Sequence, residues 1–504
     1  MFFCVSFLVL GFICIFYLFS TWNFNYWKKK NVAGPKPLPL FGNIVQSAFR
    51  QKYIGEEIKE IYAQFPNEKI VGFYRMTTPT LLVRDLDIVK AIMIKDFDIF
   101  IDRGVEFNKD GLGVNMFHAS GDSWKLLRSS FSPLFSTGKI KNMSYLISEH
   151  ADKHVHRIEE EYSERQEIKI LEFTRNYTIS TVVATAFGMD IDIKDNIFKM
   201  LDEIDKLIFE SSFTFELDMV FPGILKILGT ALFPQKVSAF FHDLVETVVK
   251  QRNGEPTGRN DFMDIILAMR KEGEISKIKG DNKITSLTIT NNLIAAQAFL
   301  FFIAGYETSG TTAAFLLYEL TVNPDVQNKV IAEIDEMLKK TNGKVTYDSL
   351  MEMSYLGRVF DETLRMHPIA EFHAVQRNTL REYAIPGTDV TIPKGMMIVV
   401  SPSGIHYDEK YYPNAKVFDP ERFTAENAKD RHSCAYMAFG AGPRSCIGTR
   451  FAKVQVMMFI VKLLSKFRLE PCKGTPLPKN MTYNKHRLVR SPPDDLYLRL
   501  VKFN

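Results

Sequence analysis

The stretch "FGAGPRSCIG", Phe439–Gly448, sets one cysteine among three glycines, a proline and an arginine. Glycine has no side chain to restrict its backbone torsions, so the segment predicts a tightly turned loop rather than a helix or a strand. A cysteine in such a loop can be a nucleophile, half of a disulfide, a metal ligand or a small buried residue. The rest of the sequence has to decide among these four interpretations.

The other four cysteines weaken the disulfide interpretation. Cys4 and Cys14 lie in an apolar N-terminal run, while Cys434 and Cys472 complete an odd, irregularly spaced set of five. The sequence contains no CxxC pair and no cysteine–histidine cluster of the kind that binds zinc. It therefore predicts no disulfide framework, and a reducing compartment.

The composition is that of a folded protein without a strong charge bias. Of the 504 residues, 46% are hydrophobic and 24% are charged, which excludes general disorder. A net charge of +4 with no basic tail gives no indication of a nucleic-acid partner. The length exceeds that of one small core, so several domains or one large enzyme-sized unit are expected.

The first 20 residues contain no charged side chain. As a helix they would span ~30 Å, which is the thickness of a bilayer core. A cleaved signal peptide would begin with a basic region, whereas here Lys28, Lys29 and Lys30 follow the apolar run. Residues 1–27 are therefore predicted to be a transmembrane signal anchor of the endoplasmic reticulum, a single pass that leaves the rest of the chain on the cytosolic face.

Residues 28–43 form a basic and proline-rich segment, and its composition predicts a stiff, extended hinge. Beyond it, 44–504 has no internal repeat and is typical of one catalytic domain made mostly of helices. Short β-like runs lie at 69–83 and 395–403. The predicted fold class is mainly α with small β-sheets, an α+β arrangement.

The segment 291–320 predicts a long buried helix with unusual residues at its centre. Helical spacing puts Ala304, Gly305 and Thr308 on one stripe, which is narrow enough for a flat group to approach the backbone. Glu307 beside them needs a charged partner or a proton if it is buried. On these residues alone, a kinked helix with a satisfied threonine explains the pattern equally well.

Glu362 and Arg365 lie three residues apart in a helix that Pro368 ends, so they share one face. Alone, that spacing is typical of a solvated ion pair. Arg422, within "DPERF" at 419–423, offers the alternative of a buried structural network of Glu362, Arg365 and Arg422.

Taken in order along the chain, five motifs resemble those of the cytochromes P-450, the haem-thiolate monooxygenases. The resemblance covers nearly the whole sequence and implies a helix-rich triangular prism in which one long central helix crosses the haem. Shorter stretches at 102–107, 131–143 and 404–423 look most like insect microsomal members that metabolise xenobiotics. The motifs are Trp124-x-x-x-Arg128, Ala304-Gly305-x-Glu307-Thr308-Ser309, Glu362-x-x-Arg365, Pro420-Glu421-Arg422-Phe423 and Phe439-x-x-Gly442-x-Arg444-x-Cys446-x-Gly448.

The resemblance implies one cofactor, haem b, with Cys446 as the axial ligand of its iron. A thiolate ligand pushes electron density that favours O–O cleavage, and amides aimed at its sulfur tune the redox potential. The other implied cofactor-binding residues belong to the cysteine loop or would hold the haem propionates by charge-assisted hydrogen bonds, and they are Phe439, Gly440, Gly448, Trp124, Arg128, Arg444 and Arg377.

The resemblance also implies how the central helix would act. Ala304 and Gly305 would leave room for dioxygen, while Thr308 and Glu307 would help deliver protons. Two electrons would come from NADPH through a separate flavoprotein reductase, with cytochrome b5 as a further partner, because the chain has no dinucleotide fingerprint of its own. A lipophilic small molecule would bind in an apolar pocket, whose candidate residues are Phe117, Phe301, Ala304, Ile369 and Ala370.

Three alternatives stay open on the sequence. An isomerase or dehydratase of the same fold would use no dioxygen, although such enzymes often lack the Glu307–Thr308 pair. A cysteine hydrolase would use Cys446 as nucleophile and a histidine such as His432 as base, which leaves four motifs unexplained. A haem-binding carrier or sensor would hold the cofactor without turnover. No motif indicates the specific substrate, or a choice between detoxification and biosynthesis.

Overall fold

The chain folds mainly as α-helices with small sheets, which confirms the predicted fold class. A computed structural model describes it over residues 2–104, 111–161, 165–209, 224–230, 233–259, 261–278 and 284–503. Within those ranges the helices, numbered in chain order, are α1 (Phe2–Thr21), α2 (Tyr26–Lys29), α3 (Val45–Ala48), α4 (Ile54–Gln64), α5 (Leu86–Lys90), α6 (Gly121–Phe131), α7 (Thr137–Glu161), α8 (Ile170–Val182), α9 (Asn196–Phe209), α10 (Ile224–Ile227), α11 (Gln235–Gln251), α12 (Phe262–Glu272), α13 (Asn291–Val322), α14 (Pro324–Lys340), α15 (Tyr347–Glu352), α16 (Ser354–Met366), α17 (Phe372–Val375), α18 (Pro402–His406), α19 (Ala425–Ala428) and α20 (Thr449–Leu464).

The strands are short and form small sheets at the edges of the helical body. They are β1 (Ile70–Arg75), β2 (Thr78–Val83), β3 (Arg165–Lys169), β4 (Glu274–Ile278), β5 (Ile284–Thr288), β6 (Arg377–Asn378), β7 (Tyr383–Ala384), β8 (Thr391–Ile392), β9 (Met397–Val400), β10 (Phe467–Glu470) and β11 (Tyr497–Lys502). One sheet has the order β1-β2-β9-β6, a second has the order β10-β11-β3, and β4-β5 and β7-β8 are two-stranded. The β-like runs predicted at 69–83 and 395–403 are confirmed, because β2 pairs with β9 in parallel.

Helix α13 is the centre of the fold and confirms the long helix predicted over 291–320. The Thr290 side chain caps it by accepting a hydrogen bond from the backbone NH of Leu293, and Pro324 starts α14 after a one-residue break. Most of its side chains are buried because α8, α11 and α20 pack around it. It therefore runs through the core, with one stretch open to an internal cavity.

Two helices are apolar enough to raise the question of a membrane span. Among the described residues α13 is long and apolar enough to cross a bilayer, but 72% of its most apolar window is buried inside the protein. Helix α1 is shorter, and side chains such as Phe7 and Leu8 are 74% and 75% exposed. Apolar side chains exposed in a row indicate contact with something other than water. The anchor role of α1 stays a prediction.

The segment that follows α1 is fastened to β1. The Trp27 indole is buried and donates a hydrogen bond to the carbonyl of Phe73 at 3.1 Å. The hydroxyl of Tyr74 accepts a hydrogen bond from the Trp27 backbone NH at 3.2 Å. Gly72 leaves space for the indole, because a Cβ there would lie 2.3 Å from the ring. Contacts with the sheet therefore begin just before the proline-rich segment.

His154 on α7 is buried among aromatic rings. Its ring centre lies 5.0 Å from that of Phe173, 6.2 Å from Tyr177 and 5.8 Å from Phe459. Its Nε2 atom has no hydrogen-bond partner among the described residues. Burial, together with the positive charge of Arg157, lowers the pKa of His154 from 6.5 to about 3. The folded protein therefore holds this histidine neutral over most of the acidic range.

We predict that His154→Phe makes the protein less sensitive to acid. Between pH 6.5 and 3 the unfolded chain binds a proton that folded His154 refuses, so its contribution to stability is complete above pH 6.5 and is lost as the pH falls. The measurement is the midpoint of thermal unfolding at pH 7.5 and at pH 5. The unfolding midpoint of the variant should fall less between pH 7.5 and pH 5 than that of the parent. The midpoint of the exposed control His156→Gln should fall as much as the parent's. An equal fall of the midpoint in the parent and in His154→Phe would contradict the conclusion that folded His154 stays neutral.

Candidate active site

A cavity of about 280 Å³ opens inside the protein between α13, α6 and the loop before α20. Its wall is mostly apolar and aromatic, as ligand pockets are. The residues singled out from the sequence that line it are Phe117, Trp124, Arg128, Phe301, Ala304, Gly305, Thr308, Ile369, Ala370, Phe439, Gly440, Arg444, Cys446 and Gly448. Glu307 and Arg377, both described, do not line it.

The cysteine loop, 439–448, depends on two glycines with left-handed backbone torsions. Gly440 has a φ of 74° and Gly442 a φ of 72°. A Cβ at Gly442 would lie 1.9 Å from a backbone carbonyl oxygen of a neighbouring segment, so only glycine fits there. The backbone NH of Cys446 donates to the carbonyl of Phe439 at 2.8 Å and closes the loop.

Gly448 has a different role from the other two glycines of the loop. Its φ of −90° is open to any residue, so the turn does not require glycine here. A Cβ at this position would lie 4.0 Å from the sulfur of Cys446 and 3.8 Å from Phe135. Gly448 therefore keeps the space beside the sulfur clear.

The Cys446 side chain has accessible surface, and this surface faces the internal cavity. Burial raises the pKa of the thiol, while hydrogen bonds from the Gly448 backbone and the Thr449 side chain and the charges of Arg128 and Arg103 lower it. The net direction is upward, so an isolated thiol here keeps its proton. A bound metal cation would remove that proton, because it stabilises the thiolate directly.

Four arginines lie close together beside the cavity. Burial lowers the pKa of Arg103 well below its usual range, and the charges of Arg444, Arg377 and Arg128 lower it further. Burial also lowers the pKa of Arg444 to about 9 and that of Arg377 to about 10. Within the described chain none of the four has a carboxylate salt bridge, and three of them donate to backbone carbonyls instead. Such a cluster is incomplete without bound anions.

Arg444 shows how firmly these side chains are held. It donates to the carbonyl of Ile101 at 2.5 Å and to the carbonyl of Ala119, and its guanidinium lies 4.9 Å from the ring centre of Trp124. Its Nε has no partner among the described residues, and the same is true of the Nε of Arg377. Both atoms can therefore still donate to an acceptor.

Arg103 is a site residue that the sequence analysis did not single out. Its guanidinium lines the cavity, donates to the carbonyls of Phe117 and Ala374 at 2.8 and 3.2 Å, and lies 4.1 Å from the Phe117 ring centre. In the sequence, residues 102–107 were informative only through their resemblance to insect enzymes. The sequence signal was one basic residue, which by itself predicts nothing about burial.

The residues present fit a haem group. Cys446 offers a sulfur ligand to iron, and the arginines offer unneutralised donors to two carboxylates. The apolar wall suits the porphyrin ring. The cavity residues that can hold the group are Cys446, Arg103, Arg128, Arg444 and Trp124. Arg377 does not line the cavity and adds its charge beside Arg103.

Helix α13 contributes the predicted stripe, Ala304, Gly305 and Thr308, to the cavity wall. The hydroxyl of Thr308 donates to the carbonyl of Ala304 at 2.7 Å, and that of Thr312 donates to the carbonyl of Thr308 at 2.7 Å. Gly305 is small for a packing reason, because a Cβ there would lie 3.0 Å from Val182 of α8. Because Thr308 lines the cavity and its hydroxyl bonds a carbonyl of its own helix, the hydroxyl can turn from that carbonyl to a ligand.

Glu307 turns away from the cavity, which differs from the expectation that it stands there with Thr308. It is fully buried, and Arg175 and Arg487 donate to its Oε1 atom at 2.6 and 3.1 Å. Asp205 on α9 shares both arginines. A charged carboxylate is stabilised far better between two guanidinium groups than in an apolar cavity, which is the physical reason for its place.

Glu362 and Arg365 are both fully buried, so the solvated alternative is wrong. Arg365 makes a two-pronged contact to Glu362 at 2.7 and 2.9 Å. The backbone NH of Asp419 donates to Glu362 at 2.8 Å, and the guanidinium of Arg422 lies 3.4 Å from Glu362. Burial raises the pKa of Glu362, opposed by Arg365.

His406 connects this ion pair to the cysteine loop, a link that no sequence motif predicts. Its Nδ1 atom bonds the carbonyl of Arg365 at 2.9 Å, and its Nε2 atom accepts the backbone NH of Met437 at 2.9 Å. Burial and the charge of Arg365 lower the pKa of His406 to about 3, so the ring is neutral. The carbonyl of Met437 in turn accepts the NH of Gly440 at 3.0 Å. The cysteine loop is thus positioned from α16.

We predict that Glu362→Gln prevents stable haem binding. The change leaves the buried charge of Arg365 without a counter-ion, which costs about 3–5 kcal/mol. The measurement is the ratio of haem absorbance to protein in purified samples, with the thermal unfolding midpoint beside it. Glu336→Gln is the matched control, because it removes one partner of an exposed ion pair on α14 and should leave both values unchanged. Full haem content in Glu362→Gln would contradict the positioning role.

Comparison with known proteins agrees with this geometry. The family model of cytochrome P450 matches residues 32–498. Cytochrome P450 6B2 of Helicoverpa armigera is 51% identical over 489 residues, 97% of this chain and 96% of the relative. Cytochrome P450 6B5 of Papilio glaucus is 52% identical over 463 residues, 92% and 96% of the two chains, and cytochrome P450 6k1 of Blattella germanica is 35% identical over 485 residues, 92% and 91%. The chain belongs to the cytochrome P450 family of haem-dependent monooxygenases.

Proposed function

We propose that this enzyme inserts one atom of dioxygen into a lipophilic small molecule, with electrons passed singly from NADPH by a separate flavoprotein reductase. The substrate class is xenobiotics or endogenous steroids, fatty acids or terpenoids. The observation that carries the proposal is that Cys446 and Thr308 line the same apolar cavity. Such an arrangement combines an iron ligand, a proton donor and a dry pocket.

Haem, when bound, supplies the iron that activates dioxygen, and a thiolate ligand favours O–O cleavage. The role proposed for Cys446 is to bind that iron, and the arginines beside it would hold the propionates. Thr308 keeps a proton on Oγ1 at the cavity wall, where rotation away from the Ala304 carbonyl would release it toward the cavity. Ala304 and Gly305 would admit a diatomic molecule close to the helix backbone.

The walls above the haem site favour an apolar substrate. Phe117, Phe301, Ile369 and Ala370 line the cavity, and Phe301 packs against Phe262 with ring centres 4.2 Å apart. Rigid aromatic surfaces bind flat, lipophilic molecules at little entropic cost. The carbon that is oxidised would be the one such a molecule holds nearest the iron.

We also propose that the enzyme sits on the endoplasmic reticulum membrane through α1, with the domain in the cytosol. The exposed apolar side chains of α1 and the fastening of Trp27 to β1 support this arrangement. The reductase, and cytochrome b5 as a second donor, would approach a basic face near the cysteine loop. Candidate residues on α6, α7 and α20 are Lys125, Lys139, Lys141, Arg450 and Lys453.

The test of the proposed reaction is isotope incorporation. Purified holoenzyme, a flavoprotein reductase and NADPH are incubated under ¹⁸O₂ with a panel of lipophilic compounds chosen by their spin-state shift. Product should carry one labelled oxygen from the gas and appear only with NADPH. An isomerase or dehydratase of the same family would convert substrate without NADPH and without label, which would contradict the proposal.

We predict that Thr308→Ala separates NADPH consumption from product formation. The variant keeps every residue that can hold haem but loses the proton at the cavity wall, so product per NADPH should fall, by up to about 10²-fold. Thr321→Ala is the matched control, because its hydroxyl donates to a helix carbonyl at 2.8 Å on the same helix away from the cavity. Unchanged coupling in Thr308→Ala would exclude the proton-delivery role.

A further inference from the structure

The segment 111–119 forms part of the cavity wall and is folded around one buried amide. Asn115 is fully buried, donates to the carbonyl of Leu112 at 2.7 Å and accepts the backbone NH groups of Phe117 and His118 at 3.0 and 3.2 Å. These bonds make the segment a compact unit. Its position relative to the rest of the protein needs separate fastenings.

Gln297 supplies the deepest contact between this segment and α13. Its Oε1 atom accepts the backbone NH of Met116 at 3.0 Å, and its Nε2 atom donates to the carbonyl of Val114 at 3.2 Å. The primary amide thus pairs with two backbone groups two residues apart, as a neighbouring strand would. Only 1% of Gln297 is exposed.

A second, weaker fastening lies one and a half turns earlier on the helix. Asn292 donates to the carbonyl of Gly111 at 3.2 Å and contacts Nε2 of His242 on α11 at 3.2 Å. Asn292 is half-buried, so water can replace part of this contact, whereas the deeper amide of Gln297 has no such substitute.

The fastened segment faces both the substrate space and the arginine cluster. Met116 and Phe117 line the cavity, and the carbonyl of Phe117 accepts a hydrogen bond from Arg103 at 2.8 Å. On the helix side, Leu300 and Phe301 follow Gln297 by three and four residues, so they lie on its face and line the same cavity. The amide of Gln297 therefore joins two segments that both line the cavity.

We propose that Gln297 is a specificity-determining positioning residue, which sets the width of the substrate space by clamping the backbone at 114–116 to the central helix. This rests on the proposed haem-thiolate function. A buried amide must have its hydrogen bonds satisfied, and here one arrangement of the wall satisfies both. The clamp selects one spacing of Phe117 from Phe301, and hence the size of molecule that fits between them.

The experiment compares Gln297→Leu with a matched control in the holoenzyme. Gln327 on α14 is also fully buried and makes the same kind of clamp, accepting the NH of Leu469 at 2.9 Å and donating to the carbonyls of Leu320 and Leu469 at 3.0 and 3.1 Å. It does not line the cavity. Gln327→Leu therefore removes three hydrogen bonds of the same kind, against two in Gln297→Leu, from a residue that does not line the substrate space.

The readout is the dissociation constant of two iron-ligating probes, imidazole and 1-benzylimidazole, followed by the shift of the haem absorption band. Imidazole reports the iron site, while the benzyl group reaches the walls. In Gln297→Leu the ratio of the two constants should change by about threefold to tenfold, the worth of one net hydrogen bond. In Gln327→Leu the ratio should stay at the parent value.

Gln297→Glu gives a second readout that a folding role would not produce. A protonated carboxyl can accept from Met116 and donate to Val114, whereas a carboxylate repels the Val114 carbonyl. Burial raises the pKa of such a carboxyl, so its change of charge falls nearer neutrality. The probe ratio of this variant, divided by that of the parent at each pH, should be near one in acid and diverge as the pH rises.

Two results would overturn the proposal. One is an unchanged probe ratio in Gln297→Leu together with a pH-independent ratio in Gln297→Glu. The other is loss of haem binding in Gln297→Leu but not in Gln327→Leu, which would make Gln297 a residue of assembly rather than of specificity. Absence of any azole shift in the parent protein would instead contradict the proposed function itself.

Discussion

Buried positive charge beside Cys446 is the constraint on which the rest of the structure depends. Elsewhere in the described chain carboxylates of the protein neutralise several buried arginines, as Glu362 does for Arg365 and Glu371 for Arg490. Around the cavity they do not, and burial, together with the like charges of the neighbouring arginines, lowers the pKa of Arg103. The missing negative charge has to come from a bound group. A haem with two propionates and a thiolate-bound iron supplies it, so cofactor binding completes the electrostatics of the fold.

The neutralised arginines build the frame that holds this incomplete region in shape. The pair Glu362–Arg365 acts through His406 on the backbone of the cysteine loop and so positions the sulfur of Cys446. Burial at that position raises the pKa of the thiol, so the sulfur needs a bound cation to stay ionised. Arg487 joins the central helix to α9 through Glu307 and Asp205. Among the described residues, neither network offers a carboxylate to the arginines beside the haem site.

Local sequence patterns predicted the elements well. The length and apolarity of 291–320 were enough to predict α13, and the glycines of 439–448 were enough to predict a turned loop. Both predictions succeed because apolar patterning and torsional freedom are properties of short segments. Glu362 and Arg365 could be paired by helical spacing, but their burial depends on strands and turns far along the chain. Spacing alone therefore favoured the wrong, solvated alternative.

The residues that were missed act through tertiary contacts that no local pattern encodes. Arg103, His406 and Gln297 each bond backbone groups from distant segments, and a lone arginine, histidine or glutamine in a sequence gives no sign of that. The same reason explains Glu307, whose neighbour Thr308 faces the cavity while Glu307 itself pairs with arginines from α8 and the C-terminal segment.

The most direct test of the central claim is the absorption spectrum of the reduced protein with carbon monoxide. A cysteine thiolate on the haem iron gives a band at about 450 nm, and we expect this band for the purified enzyme. Cys446→Ser, folded and loaded with haem, should lack that band. A parent protein that binds haem without the band, or a Cys446→Ser variant that keeps it, would contradict the account.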